Sequence, residues 1–368
     1  MTEEYDPITG ERIASQEEEP EKPKAPGEEK DIDPVTGAEI AVVEEPGQPM
    51  NKEEPGSPAV VEPAEPPAEI DPVTGALVAP EKPRIERGGP LSALKGMISF
   101  FTVIRLPIGM KEMDAMERHF WMAPAVGFII GFLAFFMTLF FAAAFGANML
   151  TQAVVALAVS YLFSKFIHFD GLVDFGDGMI CSSGRQEDHV RALKDTLVGA
   201  GGVGVAIITI LLAVLFCSEA GNVIAFRFNI EVVVSVCFVV FGGEILVKNA
   251  QVAAAAFGKP GNGMAARQVS RTDKTSLIFS TVLTAVLLLV VVGIYAAMWN
   301  YSEFVGNLAW GRVIAGYVAA ILGSILTGAL MANTANKTFG FVNGDILGAT
   351  NEISRVVVYL LLFIIAAI

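Results

Sequence analysis

His168-Phe-Asp170-Gly-Leu-Val-Asp174-Phe-Gly-Asp177-Gly178 places three carboxylates within eight residues, at the end of a long apolar run. On a helix Asp170, Asp174 and Asp177 stand at i, i+4 and i+7 and share one face. Carboxylates so crowded repel one another unless a cation sits among them. Hard divalent cations such as Mg²⁺ take oxygen ligands, which they usually share with a substrate's phosphates. In a soluble protein the stretch reads as a solvated loop carrying a few acids. Beside a membrane segment the balance shifts toward function, because carboxylates at membrane depth are costly.

The chain around this stretch is apolar on the scale of a bilayer, which takes about 20 residues per helix. Spans are expected at roughly 122–147, 148–168, 197–219, 231–257, 276–299, 311–335 and 354–368, so the chain reads as an all-α polytopic membrane protein of about seven transmembrane helices. The Gly146-Ala-Asn148 turn makes a helical hairpin of the first two. Ahead of them, residues 91–109 are apolar but broken by Lys95 and Arg105, which suits an interfacial helix. With residues 89–121 placed on the cytoplasmic side, the inner segments carry most Lys and Arg, from Lys95 to Lys337 and Arg355, and the outer ones only Arg227 and Arg312. That asymmetry follows the positive-inside rule and predicts a cytoplasmic N-terminal tail and site.

The tail is a different material. Residues 1–88 hold 23 of the 39 acids and 8 of the 25 bases, which leaves the remainder a net charge of +1. Acidic, Pro-rich and nearly free of aromatics, the tail cannot bury enough apolar surface to offset its ordering entropy, so it is expected to be disordered. It opens without a basic region or an apolar core, unlike a signal peptide. Asp6-Pro-Ile-Thr-Gly10, Asp33-Pro-Val-Thr-Gly37 and Asp71-Pro-Val-Thr-Gly75 repeat a turn motif at irregular spacing. The copies suit multivalent binding of a protein partner, or low-complexity drift. No nucleic acid partner is expected, and a homo-oligomer is compatible with the sequence. Cys181, Cys217 and Cys237 have neither disulfide nor zinc spacing.

Three inner segments carry chemistry. The aspartate stretch continues into Arg191-Ala-Leu-Lys194-Asp195-Thr-Leu-Val-Gly199-Ala-Gly201-Gly202. Glycines opening a helix let N–H groups approach a phosphate, or let helices pack closely in a membrane. Phe257-Gly-Lys259-Pro-Gly-Asn262-Gly-Met-Ala-Ala-Arg267 is either an anion-binding loop or a solvated basic one. Asn343-Gly-Asp345-Ile-Leu-Gly348-Ala-Thr-Asn351-Glu352 offers Asp345 and Glu352 as further carboxylates. Glu244 and Lys248, at i and i+4 inside a span, read as an internal ion pair or as a substrate contact.

Together these segments resemble the cobalamin synthase family, the adenosylcobinamide-GDP ribazoletransferases. Phe101-Thr-Val-Ile-Arg105-Leu-Pro107 is similar to that family's Phe-Thr…Arg-Leu-Pro. The 168–178 stretch is similar to its His-x-Asp-Gly-Leu-x-Asp-x-x-Asp-Gly, 193–202 to its Lys-Asp…Gly-x-x-Gly, and 340–349 to its Gly-x-Thr-Gly-Asp-x-Leu-Gly-Ala. Asn343 stands where Thr is usual, and 258–267 is a looser match. The resemblance implies a membrane transferase that joins adenosylcobinamide-GDP to α-ribazole or its 5′-phosphate with Mg²⁺, releasing GMP. It implies Asp170, Asp174, Asp177 and Asp345 as metal ligands, His168 as general base, and Lys194 with Asp195 beside them. Arg105, Arg191, Gly199, Gly202, Lys259, Asn262, Arg267, Asn343 and Asp345 become substrate contacts. Two other classes stay in view. A CDP-alcohol phosphotransferase lacks support because its Asp-Gly-x-x-Ala-Arg opening is absent. An ion-coupled transporter would place its polar groups at mid-membrane in paired repeats.

Overall fold

The computed structural model describes residues 87–145, 148–228, 232–298 and 310–368, with Glu69–Ile70 and Leu77–Val78. Contacts divide the chain into two units, Met1–Glu81 and Lys82–Ile368. In the first, β1 (Glu69–Ile70) pairs antiparallel with β2 (Leu77–Val78), bracketing the third repeat in sequence. The remaining tail, with its expected disorder and turns, lies outside the described residues.

The second unit is built of helices joined by short links among its described residues. Pro90 occupies the first turn of α1 (Pro90–Phe101), where its missing N–H costs nothing. An extended link, 102–109, leads to α2 (Met110–Arg118), whose Glu112 reaches back to accept from Gly109 N–H at 2.9 Å. A short turn, Phe120–Met122, opens into α3 (Ala123–Phe145). Asn148 caps α4 (Met149–Phe163), accepting from Thr151 N–H at 3.2 Å. After α5 (Ile167–Ile180) and α6 (Gln186–Leu193) come the long α7 (Ala200–Phe228) and α8 (Val232–Phe257). The short α9 (Met264–Arg271) precedes α10 (Lys274–Met298), α11 (Trp310–Thr338) and α12 (Gly344–Ala367).

Six of these helices are long and apolar enough to cross a membrane, and α4 with α5 forms a further pair bent by 94°. The chain is therefore a multi-pass membrane protein, with the expected second span broken. Its axis is α8, whose apolar window is wholly buried. Around it α3, α4, α7, α12, α11 and α10 follow one another, each packed on α8 and on its ring neighbours. The ring helices turn their large apolar residues outward. On α11, Val318, Leu322, Leu326 and Leu330 form an exposed stripe at i, i+4 spacing, a lipid-facing surface.

The last span starts ten residues earlier than 354. Asn343 caps α12 by accepting from Ile346 N–H at 3.2 Å, so the polar stretch expected as a loop is already helix. Arg355, counted with the inner loops, is consequently buried inside this helix.

Candidate active site

The chain between α4 and α5 makes a compact elbow. Lys165 N–H donates to Leu162 C=O at 3.3 Å and Phe166 N–H to Tyr161 C=O at 3.0 Å, the two bonds of a Schellman ending. The left-handed position, usually glycine, is filled by Lys165 (φ 56°), and Phe166 (φ 57°) is left-handed as well. Their backbones turn α5 out of line with α4. The elbow thus delivers a 14-residue helix carrying Asp170, Asp174 and Asp177 along one face.

Three neighbours seat α5. A Cβ at Gly171 would stand 2.7 Å from the Asp345 carbonyl oxygen, so the start of α12 approaches here as only glycine permits. One turn on from Gly171, Asp174 is half-buried. Asp345, Asp170 and Asp177 are the acidic neighbours that crowd it. On the next turn, Asp177 Oδ2 accepts from Gly199 N–H at 2.7 Å and Oδ1 from Gly202 N–H at 2.6 Å. A carboxylate of the chain itself thus fills the helix start at which a phosphate contact is one sequence reading. His189 Nδ1 lies 2.7 Å from Gly178 C=O, and Gln186 donates to Phe339 C=O at 2.7 Å, tying α6 to α5 and to the link between α11 and α12.

The other expected segments gather at this end. Val342 N–H donates to Lys259 C=O at 2.7 Å and Gly261 N–H to Val342 C=O at 3.3 Å. Asn336, unmarked in the sequence, accepts from Lys259 N–H at 2.9 Å and donates to Phe257 C=O at 3.1 Å. The Lys194 ammonium lies 5.7 Å from the centre of the Phe341 ring. Asp195 accepts from Leu197 N–H at 3.0 Å, shaping the turn that leads to Gly199. Asn343 caps α12 and donates to Asp345 Oδ2 at 2.6 Å, so asparagine performs here the capping a threonine would supply. Arg191 and Asn262 are exposed. Arg267 lies 4.0 Å from Glu117, where α9 docks on α2. Arg105 is exposed on the 102–109 link near Lys165, whose ammonium burial and the Arg105 charge hold below its usual range.

Two side chains stand apart from the aspartate face. His168 is 4 % exposed and roughly half a helical turn away from the aspartates, with Nε2 against Lys248 Nζ, Nδ1 3.4 Å from Gln251 Nε2, and its ring 5.7 Å from Phe101. Glu352, expected as a further carboxylate of the site, is 1 % exposed, two turns up α12. It accepts from Tyr161 O–H at 2.7 Å, Asn351 Nδ2 at 2.8 Å and Arg355 Nε at 3.2 Å. The expected Glu244–Lys248 ion pair gives way likewise. Glu244 bonds Arg355, and Lys248 donates to Asn351 Oδ1 at 2.8 Å. Sequence spacing along α8 cannot reveal partners that arrive from α5 and α12.

The donor set on the aspartate face suits a hard cation, being all oxygen and mutually repulsive. As the side chains stand, no three His, Cys, Asp or Glu among the described residues converge as metal ligands. Mg²⁺ does not require that, since it usually keeps several waters and takes one or two carboxylates together with substrate phosphates. Asp174, Asp345 and Asp170 fit that mode, whereas Asp177 is engaged by the two amides of the α7 start. An apolar cleft of about 440 Å³, open mouth included, is lined by Ile224, Phe238, Val313 and Leu362 at the opposite helix ends, far from this chemistry.

Residues 93–363 match the family described as CobS, cobalamin-5-phosphate synthase. A protein of Methanocella arvoryzae named adenosylcobinamide-GDP ribazoletransferase is 31% identical over 271 residues, 73% of this chain and 94% of its own length. Like-named proteins of Halorubrum lacusprofundi (30%, covering 72% of this chain and 94% of its own length) and Methanococcoides burtonii (27%, covering 74% and 92%) are similar too. No solved structure matches. With the aspartate helix, the 339–345 link and all but the last turn of the ring of spans inside the matched residues, the chain belongs to the cobalamin-5-phosphate synthase family.

Proposed function

We propose that the chain joins adenosylcobinamide-GDP to α-ribazole, or to its 5′-phosphate, giving adenosylcobalamin or its 5′-phosphate and GMP at the last assembly stage of cobalamin. A ribose hydroxyl oxygen forms a bond to the cobinamide-linked phosphorus. The bridging P–O bond of the diphosphate breaks, GMP departs with that oxygen, and the hydroxyl proton passes to a base or to water. Negative charge grows on the transferring and leaving oxygens, so catalysis rests on positioning and electrostatic stabilisation. The observation that carries the reading is the crossing at Gly171, which sets Asp174 of α5 beside Asp345 of α12.

Asp174 and Asp345, with Asp170 alongside, would hold Mg²⁺, which when bound supplies charge neutralisation at the diphosphate. Lys194 and Arg191, at the end of α6, draw the diphosphate toward that face. Lys259, Asn262 and Arg267 line the neighbouring basic edge for the guanosine portion. Asn343 and Asp195 fix the backbone that presents these groups. The aspartate end of the bundle faces the cytoplasm of the cell membrane, as the Lys/Arg distribution directs.

Purified protein supplied with adenosylcobinamide-GDP and α-ribazole should release GMP, and a chelator should stop it. Well-folded protein giving no GMP with both substrates and Mg²⁺ overturns the reaction. Release that is indifferent to chelator removes the metal alone. In membrane vesicles the same assay should work when the cytoplasmic face is outward and fail in the opposite orientation.

A further inference from the structure

Lys248 is a lysine 1 % exposed on the central helix of a membrane protein, and the reaction outlined above does not use it. Ionisable residues in such places are costly and mark function by default. Its ammonium meets His168 Nε2, donates to Asn351 Oδ1 at 2.8 Å and lies 5.6 Å from the centre of the Phe101 ring. Gln251, one turn further along α8, reaches His168 Nδ1 at 3.4 Å while donating to Leu347 C=O at 3.0 Å. Nε2 of His168 is therefore taken up by Lys248 of α8, and Nδ1 also lies against that helix, on the side of α5 opposite the aspartates.

The second observation is independent. Lys165 and Phe166 hold consecutive left-handed conformations, which non-glycine residues avoid. Such a backbone persists only where its surroundings over-determine it. Here the clamps are visible. Lys165 Nζ donates to Ser99 C=O at 3.1 Å and Phe100 C=O at 3.3 Å, and Val103 N–H donates to Phe163 C=O at 2.8 Å. His168, in the first turn after the elbow, is the point where α8 takes hold.

We propose that Lys248 is a positioning residue for the transfer reaction: through His168 it fixes the strained elbow and so the pose of the α5 aspartate face. His168 then serves as a hydrogen-bond acceptor for Lys248 and moves no proton of the reaction. The proposal rests on the function argued above, and GMP release by the wild type is the control that separates failure of the one from failure of the other.

The decisive comparison is His168→Gln against His168→Leu. Glutamine can still accept from Lys248, whereas leucine cannot, and neither can act as a general base. His168→Gln should keep kcat within about threefold of wild type. His168→Leu should lose on the order of 10²-fold, the scale of a misplacement near 1 Å, with KM for both substrates little changed. Lys248→Met should match His168→Leu, and the double variant should be no worse than either single one. Amide hydrogen exchange along 170–180 should quicken in His168→Leu and stay at the wild-type rate in His168→Gln. His168→Gln as inactive as His168→Leu, with α5 protected in both, overturns the proposal and returns His168 to proton transfer. If Lys248→Met does not accumulate as folded protein, the two His168 variants decide alone.

Discussion

Helix α12 carries acids in two settings barely 10 Å apart by helical rise, and they behave as opposites. Around Glu352 the charges are closed. Glu352 and Glu244 share Arg355, Tyr161 and Asn351 add donors to Glu352, and the Lys248 ammonium completes the set. Two formal positives face two formal negatives in a dry interior. Around Asp345 the acids crowd together, and among the described residues no Lys or Arg forms an ion pair with Asp170, Asp174 or Asp177. Carboxylates whose partners are all internal hold helices together. Carboxylates left crowded at a half-open face keep capacity for something that arrives from outside.

The sharpest break of this contrast is Arg355→Met. It leaves Glu244 and Glu352 buried without their shared cation, a loss expected to cost about 3–5 kcal/mol of stability. The protein should melt far lower or fail to accumulate, whereas Glu352→Gln in the same chain should recover part of the loss by removing one stranded charge. Wild-type melting for Arg355→Met would show that the closed cluster is not a structural unit.

Asp174→Asn tests the open side. It removes charge from the centre of the repulsive face, so stability should hold or rise slightly while kcat falls by about 10²-fold or more, equivalent to about 2.7 kcal/mol in the transition state. Thermal melting and GMP release on one preparation separate the two quantities. Melting and activity that fall together would place Asp174 with the closed cluster instead.

These contrasts were only partly legible in the sequence. The aspartate face followed from i, i+4, i+7 spacing, and the spans followed from hydropathy, because both properties are local. The start of α12 was legible in principle, since Asn343 before Asp345 is a capping pattern, although the polar run read as a loop. The elbow was not, because Lys165-Phe166 carries none of the Gly, Asn or Asp that normally announces left-handed backbone. The closed cluster was half visible. Glu244 and Lys248 invited pairing with each other, but their partners lie on α5 and α12, 80 to 111 residues away in the chain.

Asp177 sits between the two settings and is the finest test of them. It shares a face with Asp170 and Asp174, yet its oxygens accept from Gly199 and Gly202 at the start of α7. Asparagine there keeps one acceptor and turns an NH₂ toward a backbone N–H, so one charged hydrogen bond becomes a donor facing a donor. That should cost about 1–3 kcal/mol of stability. Activity should fall less than in Asp174→Asn, because α7 is displaced while Asp174 and Asp345 keep their places. Added Mg²⁺ should restore nothing, since no ligand has been lost. Melting temperature and kcat, followed across a Mg²⁺ series for both variants, read all three effects. If Asp177→Asn melts like the wild type and recovers with Mg²⁺, then Asp177 leaves the α7 cap during turnover and joins Asp170 and Asp174 as a third ligand.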